Sequence, residues 1–394
     1  FTVQGTSNST NGSSQTYVAW NWKAGSDAPT KTYNVVVVSD SGNKYRFRNS
    51  ADSSTFGASA VTLDLQEGGT YTFNYSDSTA TSHPFRFSTT SDGTHGGGSE
   101  YTTGVVKDDT AKTIKITLAS SAPTLYYYCS SHSGMGGQVN TNTTKGQTNF
   151  DGSILSISQA NTTAGFSIVT FEGNKTRGAT IAHGLQVNGV ATKPDMIIMK
   201  NRDLGVSWVV WFPIFQANNQ LLELNSTGAV LTNTGDVNAW WNNTAPDENV
   251  ITLGDYDGIN DDLSMLAYCF ASVEGYSKFG NFTGNGLADG TFVYTGFRPA
   301  WIMMKASSQG SAGYAWFIQD TTRNPTNTNS TNHLFANRNL AENDASISTA
   351  ANNVVDVLSN GFKCRYAGGA TNGGNVIMIY MAFAESPFKY ANAR

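Results

Sequence analysis

Charge is scarce in this chain. Of its 394 residues, 13% are Asp, Glu, Lys or Arg, against the ~25% usual in soluble domains. The 24 basic and 29 acidic residues leave a net charge of −5, with no Lys/Arg block. That argues against binding duplex nucleic acid by phosphate neutralisation. Long apolar stretches are missing too: no run approaches the ~18 residues of a membrane-spanning helix. No basic segment with an apolar core opens the chain, so no secretory leader is legible. The first residue is Phe1 rather than Met, and an upstream segment is expected. Three cysteines, Cys129, Cys269 and Cys364, cannot make a disulfide framework. With only five histidines, no Ser–His–Asp arrangement can be assembled. The phosphate loop G-x-x-x-x-G-K-[ST] is absent, and no enzymatic activity is expected. Helical periodicity is also lacking. No segment longer than about ten residues keeps the i, i+3, i+4, i+7 pattern. Ala351–Ser359 comes nearest and reads equally well as a strand.

What the chain does have is Gly (40 residues), abundant Asn, Ser and Thr, and 12% aromatics. Disordered chains lack that aromatic content. Apolar residues alternate at period two in short runs: Tyr33–Ser39, Tyr71–Tyr75, Thr113–Leu118 and Met196–Lys200. Clusters of Gly, Asn and Asp bound them. This is the pattern of half-buried strands in sandwiches or barrels, and the chain reads as all-β.

Internal similarity divides it. Lys193-Pro194-Asp195-Met196-Ile197-Ile198-Met199-Lys200 matches Arg298-Pro299-Ala300-Trp301-Ile302-Met303-Met304-Lys305, and Trp211-Phe212 matches Trp316-Phe317, both at an offset of 105. Gly173-Asn174 matches Gly284-Asn285 at an offset of 111. Phe270-Ala271 with Lys278 matches Phe383-Ala384 with Lys389. Periods near 110 are too long for a solenoid and suit tandem domains. The expected division is 1–29, an N-terminal strand segment; 30–147, a separate unit; 148–280 and 281–394, two tandem β-sandwiches. Tyr17–Trp22 looks like the closing strand of a further copy, or a strand completing a sandwich elsewhere. Asn142–Gln147 reads as the exit linker of the separate unit.

One constellation in the separate unit carries chemistry. Tyr126-Tyr127-Tyr128-Cys129-Ser130-Ser131-His132-Ser133-Gly134-Met135 has the spacing C-x2-H-x2-M at the end of a strand. Upstream, His83 opens another alternating run, Pro84-Phe85-Arg86-Phe87. Two imidazoles, a thiolate and a weak axial thioether are the ligand set of a blue-copper site. Soft sulfur suits copper, and a trigonal plane with a distant fourth ligand accommodates both oxidation states.

The whole unit, about 115 residues, resembles the cupredoxin family of small copper β-sandwiches such as plastocyanin and amicyanin. The resemblance implies a Greek-key sandwich of about eight strands, with His83, Cys129, His132 and Met135 as metal ligands and copper as the cofactor. Pro84 departs from the plastocyanin pattern, where an Asn helps to orient the site. No redox partner or second centre is legible, so a stabilising role is expected of the metal.

The remaining segments resemble tail-fibre-like structural proteins of marine bacteriophages. The residues that carry this are Tyr17–Gly25, Thr163–Val169, Ala182-His183-Gly184-Leu185, Tyr276–Asn281 and the closing stretch Met381–Arg394. The resemblance implies a virion surface component of the tail-fibre, tail-tip or capsid-decoration type. Its partners would be other copies of itself in a trimer or ring, other virion proteins, and a glycan or protein of the host surface. Two further readings stand beside it: a secreted copper or electron-transfer protein, and a carbohydrate-binding adhesin in which Trp240 and Trp241 stack on sugar rings. His95 reads as a turn histidine. Asp255, Asp257, Asp261 and Asp262 read as a solvated acidic turn rather than a calcium loop, since the D-x-[DN]-x-[DN]-G order is missing.

Overall fold

A computed structural model of the chain describes residues 7, 10–25, 28–215, 218–310, 314–328, 332–342 and 354–387. Among them the architecture is all-β, a series of β-sandwiches. Among the described residues no helix exceeds four residues: the 3-10 turn Gly93–Gly96 and the α-turn Gly369–Asn372. The stretch that best resembled a helix contributes the strand Val355–Leu358. Residues 388–394 of the closing motif lie outside the described residues.

The first sandwich packs two sheets. One has the spatial order Asn43–Phe47, Thr30–Ser39, Thr70–Asn74, Thr113–Thr117 and Val105–Asp108; the other runs Leu63–Gln66, Gly137–Asn142, Leu125–Cys129 and Phe85–Ser88. Alternation sets the inner faces. In Thr70–Asn74, Tyr71 and Phe73 are buried while Thr70, Thr72 and Asn74 are half-exposed. In Thr113–Thr117, Ile114 and Ile116 are buried and Lys115 is exposed. Stacked rings fill the space between: Phe73 on Phe85 at 4.8 Å and Phe47 on Phe150 at 4.8 Å. Each fully buried side chain of this kind contributes about 1.5–3 kcal/mol.

The stretch that reads as a linker is a tight turn. Asn142 accepts from the Lys145 N–H at 2.7 Å, and its amide donates to the Gly146 carbonyl at 3.1 Å. The next strand, Gln147–Asn149, pairs with Ser156–Asn161 of the following sheet. Phe150 nonetheless belongs to the first core.

The tandem units repeat one strand order. The first has Phe166–Glu172, Ser264–Phe270, Met196–Asn201, Val209–Trp211 and Gln220–Glu223; the second has Ser277–Thr283, Ile377–Ala384, Pro299–Ala306, Phe317–Asp320 and His333–Phe335. The repeated K/R-P-x-x-I-x-M-K segments are the equivalent third strands. A small sheet faces each: Thr180–Ala182 with Val250–Thr252, and Phe292–Tyr294 with Gly361–Cys364 and Val355–Leu358.

Matching polar plugs, invisible to pairwise motif comparison, reinforce the equivalence. Buried Asn260 accepts from the Asn174 N–H at 2.9 Å, and buried Asn372 accepts from the Asn285 N–H at 3.1 Å.

The two tandem sandwiches share one apolar cluster, into which the second sends Trp301, Met303, Trp316, Ile318, Ile379, Met381 and Phe383. Trp316 Nε1 donates to the Glu223 carbonyl at 2.9 Å, and the buried Lys305 ammonium donates to the Gly228 carbonyl at 2.7 Å.

The expected N-terminal strand is not one within this chain: no described residue of Tyr17–Trp22 joins a ladder. The segment is held by its rings instead of its backbone. Trp22 packs on Trp301 at 5.3 Å, Phe383 at 5.4 Å and Phe270 at 6.5 Å. Trp20 donates to Asp320 at 3.3 Å under the Arg323 guanidinium. The aromatic alternation that reads as a strand is used to seal the joint between the tandem sandwiches.

Candidate metal centre

The strand Leu125–Cys129 carries Cys129 into the first core with no exposure, and the chain then turns through the loop 130–136. His83 precedes the neighbouring strand Phe85–Ser88, which pairs with Leu125–Cys129 by the register Phe85↔Cys129. Adjacent strands thus deliver the imidazole and the thiol to the same end of one sheet. Cys129 Sγ lies 3.9 Å from His83 Nδ1 and 3.7 Å from His132 Nδ1, and the three ligand atoms fall within 4.8 Å of one another. The imidazoles tilt by 50° with centroids 4.6 Å apart. His83 is buried, whereas His132 reaches the surface. Met135 is buried in the same core, and its carbonyl accepts from the Tyr45 N–H at 3.0 Å.

The two nitrogen–sulfur distances are those expected of ligands sharing one metal. Bonds of about 2.0 Å to nitrogen and about 2.3 Å to sulfur, the lengths known for zinc, separate nitrogen from sulfur by about 3.7 Å in a trigonal plane. A structural zinc site would require a fourth thiolate, imidazole or carboxylate. What the sequence supplies next in the loop is a thioether, the donor expected beside a His2Cys plane for copper. Burial and the neighbouring His132 hold the His83 pKa below its ordinary value, which favours the neutral, ligating imidazole. The buried Tyr45 hydroxyl donates to the His83 carbonyl at 2.7 Å. Burial, then proximity to Cys129, raises its pKa.

Further groups grip the loop. Asp92 accepts from the Gly134 N–H at 2.9 Å, His95 Nε2 bonds the Cys129 carbonyl at 3.0 Å, and Lys44 donates to the Gly134 carbonyl. Gly134 has φ +70°, a region that favours glycine. His95 therefore does more than occupy a turn. The glycine-rich run around it was the only sequence signal, and it gave no hint of a partner 34 residues away.

Other candidates find structural roles. His183 is fully buried, accepts from the Leu185 N–H at 3.1 Å through Nδ1, and bonds the Asp247 carbonyl at 3.1 Å through Nε2. In the second tandem sandwich, Thr295 does the same work, its hydroxyl accepting from the Phe297 N–H at 3.4 Å. His333 is buried against Phe317 and Phe335. In the acidic turn, Asp255 pairs with Arg177 at 2.7 Å and Asp261 with Lys175 at 2.8 Å, so basic side chains already offset part of its charge.

Of the Trp pair, Trp240 is half-buried and Trp241 offers no face to a sugar. Trp241 is fully buried with its N–H on the Gln220 carbonyl, because the loop folds it into the tandem core. A cleft of about 570 Å³ opens between the first sandwich and the next, lined by amides and hydroxyls including Asn34, Gln66, Asn149 and Gln159.

A family model described as a domain of unknown function (DUF7483) matches residues 139–387. No curated protein and no solved structure matches the chain. The matched span covers the tandem sandwiches and begins inside the strand Gly137–Asn142 of the sandwich that precedes them.

Proposed function

We propose that this chain, which belongs to the DUF7483 family, is an architectural component of a bacteriophage virion surface, of the tail-fibre, tail-tip or capsid-decoration kind, with a cupredoxin-like copper module as its first sandwich. The architectural reading is supported by the fusion of the tandem sandwiches through one apolar cluster, which makes a stiff spacer rather than a string of loose domains. Assembly as a trimer or ring, and attachment to a host glycan or protein, belong to the same reading. Stoichiometric amounts of the chain in purified particles, found by quantitative mass spectrometry, would support it; particles without the chain would refute it.

The copper reading rests on the convergence of His83 Nδ1, Cys129 Sγ and His132 Nδ1. These three, with the Met135 thioether as a further donor, would hold copper where the strand Phe85–Ser88 meets the loop after Cys129. Bound copper supplies one-electron chemistry and, in the role proposed here, a cross-link between the two. The full chain loaded with Cu(II) should show an intense visible thiolate-to-copper band, and Cys129→Ser should abolish it. No band in the wild type, or a band that survives the substitution, would sink the assignment. The surface position of His132 favours one other reading, an electron carrier. Reversible voltammetry of the loaded protein would support that reading, and a sluggish or irreversible couple would favour the bracing role.

A further inference from the structure

We infer that the turn Asp92–His95 is a clamp that sets the geometry of the copper ligand loop, with Asp92 and His95 as positioning residues. This rests on the copper reading above.

Pro84, directly after His83, has no backbone N–H to donate and no polar side chain. Among the described residues, what that side gives the Cys129–Met135 loop is the Pro84 carbonyl, which accepts from the Ser130 N–H at 3.1 Å. Restraint comes instead from a different connection, between the strand Phe85–Ser88 and the strand Val105–Asp108. There the short 3-10 turn Gly93–Gly96 projects His95. Since a carbonyl can only accept, His95 Nε2 is the donor to the Cys129 carbonyl at 3.0 Å, and the ring stands edge-on to Tyr128 at 6.4 Å. Three residues earlier, Asp92 takes the Gly134 N–H at 2.9 Å. Asp92 itself has φ +56°, an uncommon backbone state for a residue with a side chain.

One turn therefore holds both ends of the segment 129–134, and His132 lies between them. The strand Asn43–Phe47 closes the far side, through Lys44 on the Gly134 carbonyl and the Tyr45 N–H on the Met135 carbonyl. Fixing Cys129 and Gly134 fixes the separation of Sγ from His132 Nδ1 and the direction in which Met135 leaves the loop. Groups that orient metal ligands in this way typically change metal affinity about 10–100-fold when removed.

The test compares full-length wild type, Asp92→Ala, His95→Ala, the double variant, and the conservative Asp92→Asn and His95→Gln. Asn keeps an acceptor oxygen, and Gln keeps a donor N–H. Cu(II) affinity is measured by competition with a chelator. The visible spectrum and the electron paramagnetic resonance hyperfine splitting are read at saturating Cu(II). The alanine variants should bind about 10–100-fold more weakly, with a shifted band and altered splitting even when saturated. The conservative variants should restore both. Overturning outcomes are a double variant with wild-type affinity and spectrum, or one that only lowers apo-protein melting while its saturated spectrum stays unchanged. A wild type that takes up no copper would overturn the underlying copper reading, and the clamp with it.

Discussion

Replacing Trp316 by Ala tests whether the tandem sandwiches form one cooperative body. Trp316 belongs to the second sandwich by sequence, yet it is 1% exposed within the cluster that serves the first. It lines a seam with Met196, Phe212, Met303, Ile379 and Met381 that leaves no space for a water molecule. Truncating a buried Trp costs about 3–5 kcal/mol. The Glu223 carbonyl, which now receives the indole N–H, would lose its partner at about 1–3 kcal/mol. A loss near 5 kcal/mol in a body of roughly 240 residues lowers its melting temperature by about 10–20 °C.

Scanning calorimetry of the full chain provides an internal reference, because the first sandwich has its own apolar cluster. The transition of the tandem body should fall and that of the first sandwich should stay within a few degrees. Trp316→Phe keeps a six-membered ring but loses the pyrrole half of the indole with its N–H, so its shift should fall between those of Trp316→Ala and wild type. A Trp316→Ala protein melting like wild type, or one in which both transitions move equally, would refute a shared core.

Other expectations follow from single contacts. Burial holds His183 neutral, with its pKa below 6.5. The unfolded chain takes up a proton near pH 6.5 that the fold refuses. Its contribution is thus complete above that pH and is lost on acidification, by at most about 1.4 kcal/mol per unit, until the lower folded pKa is reached. His183→Gln, whose amide can keep both bonds, should flatten the fall of denaturant-derived stability between pH 6.5 and 5; an unchanged slope would speak against it. Trp22→Ala removes three ring contacts, each contributing about 0.5–1.5 kcal/mol. Trypsin should then cut at the exposed Lys23 at least tenfold faster, and an unchanged cleavage rate would contradict the sealing role. Gly136→Ala would place a Cβ 1.7 Å from the Tyr127 carbonyl. The strand bearing Cys129 must then shift, and copper uptake should be lost; retention of wild-type uptake would show that this approach does not matter.

The sequence disclosed the fold class well because buried faces alternate strictly, as Tyr71, Phe73, Ile114 and Ile116 do. It disclosed the repeat because the third strand of each tandem sheet is buried and so limited in the residues it accepts. The four candidate ligands were legible from spacing, and three converge. What stayed hidden depends on approach between distant segments. Asp92 and His95 carry no pattern, since an acceptor for an N–H, or a donor to a carbonyl, needs only proximity. Tyr17–Trp22 has the alternation of a strand, and alternation does not specify whether rings or backbone make the attachment. Thr295 and His183 share a job that residue identity conceals, because a hydroxyl and an imidazole nitrogen can each accept the same N–H.

Phe150 stacks in the first core while Gln147–Asn149, immediately before it, begins the next sheet. During synthesis the earlier sandwich cannot finish its interior until this ring has left the ribosome, and by then the opening strand of its neighbour is already out. Closure of one unit and initiation of the other fall within the same few steps of elongation. Shortening the chain to the family-matched span alone would take all five strands from one sheet and all but part of one from the other, and Phe150 would be left pointing at solvent.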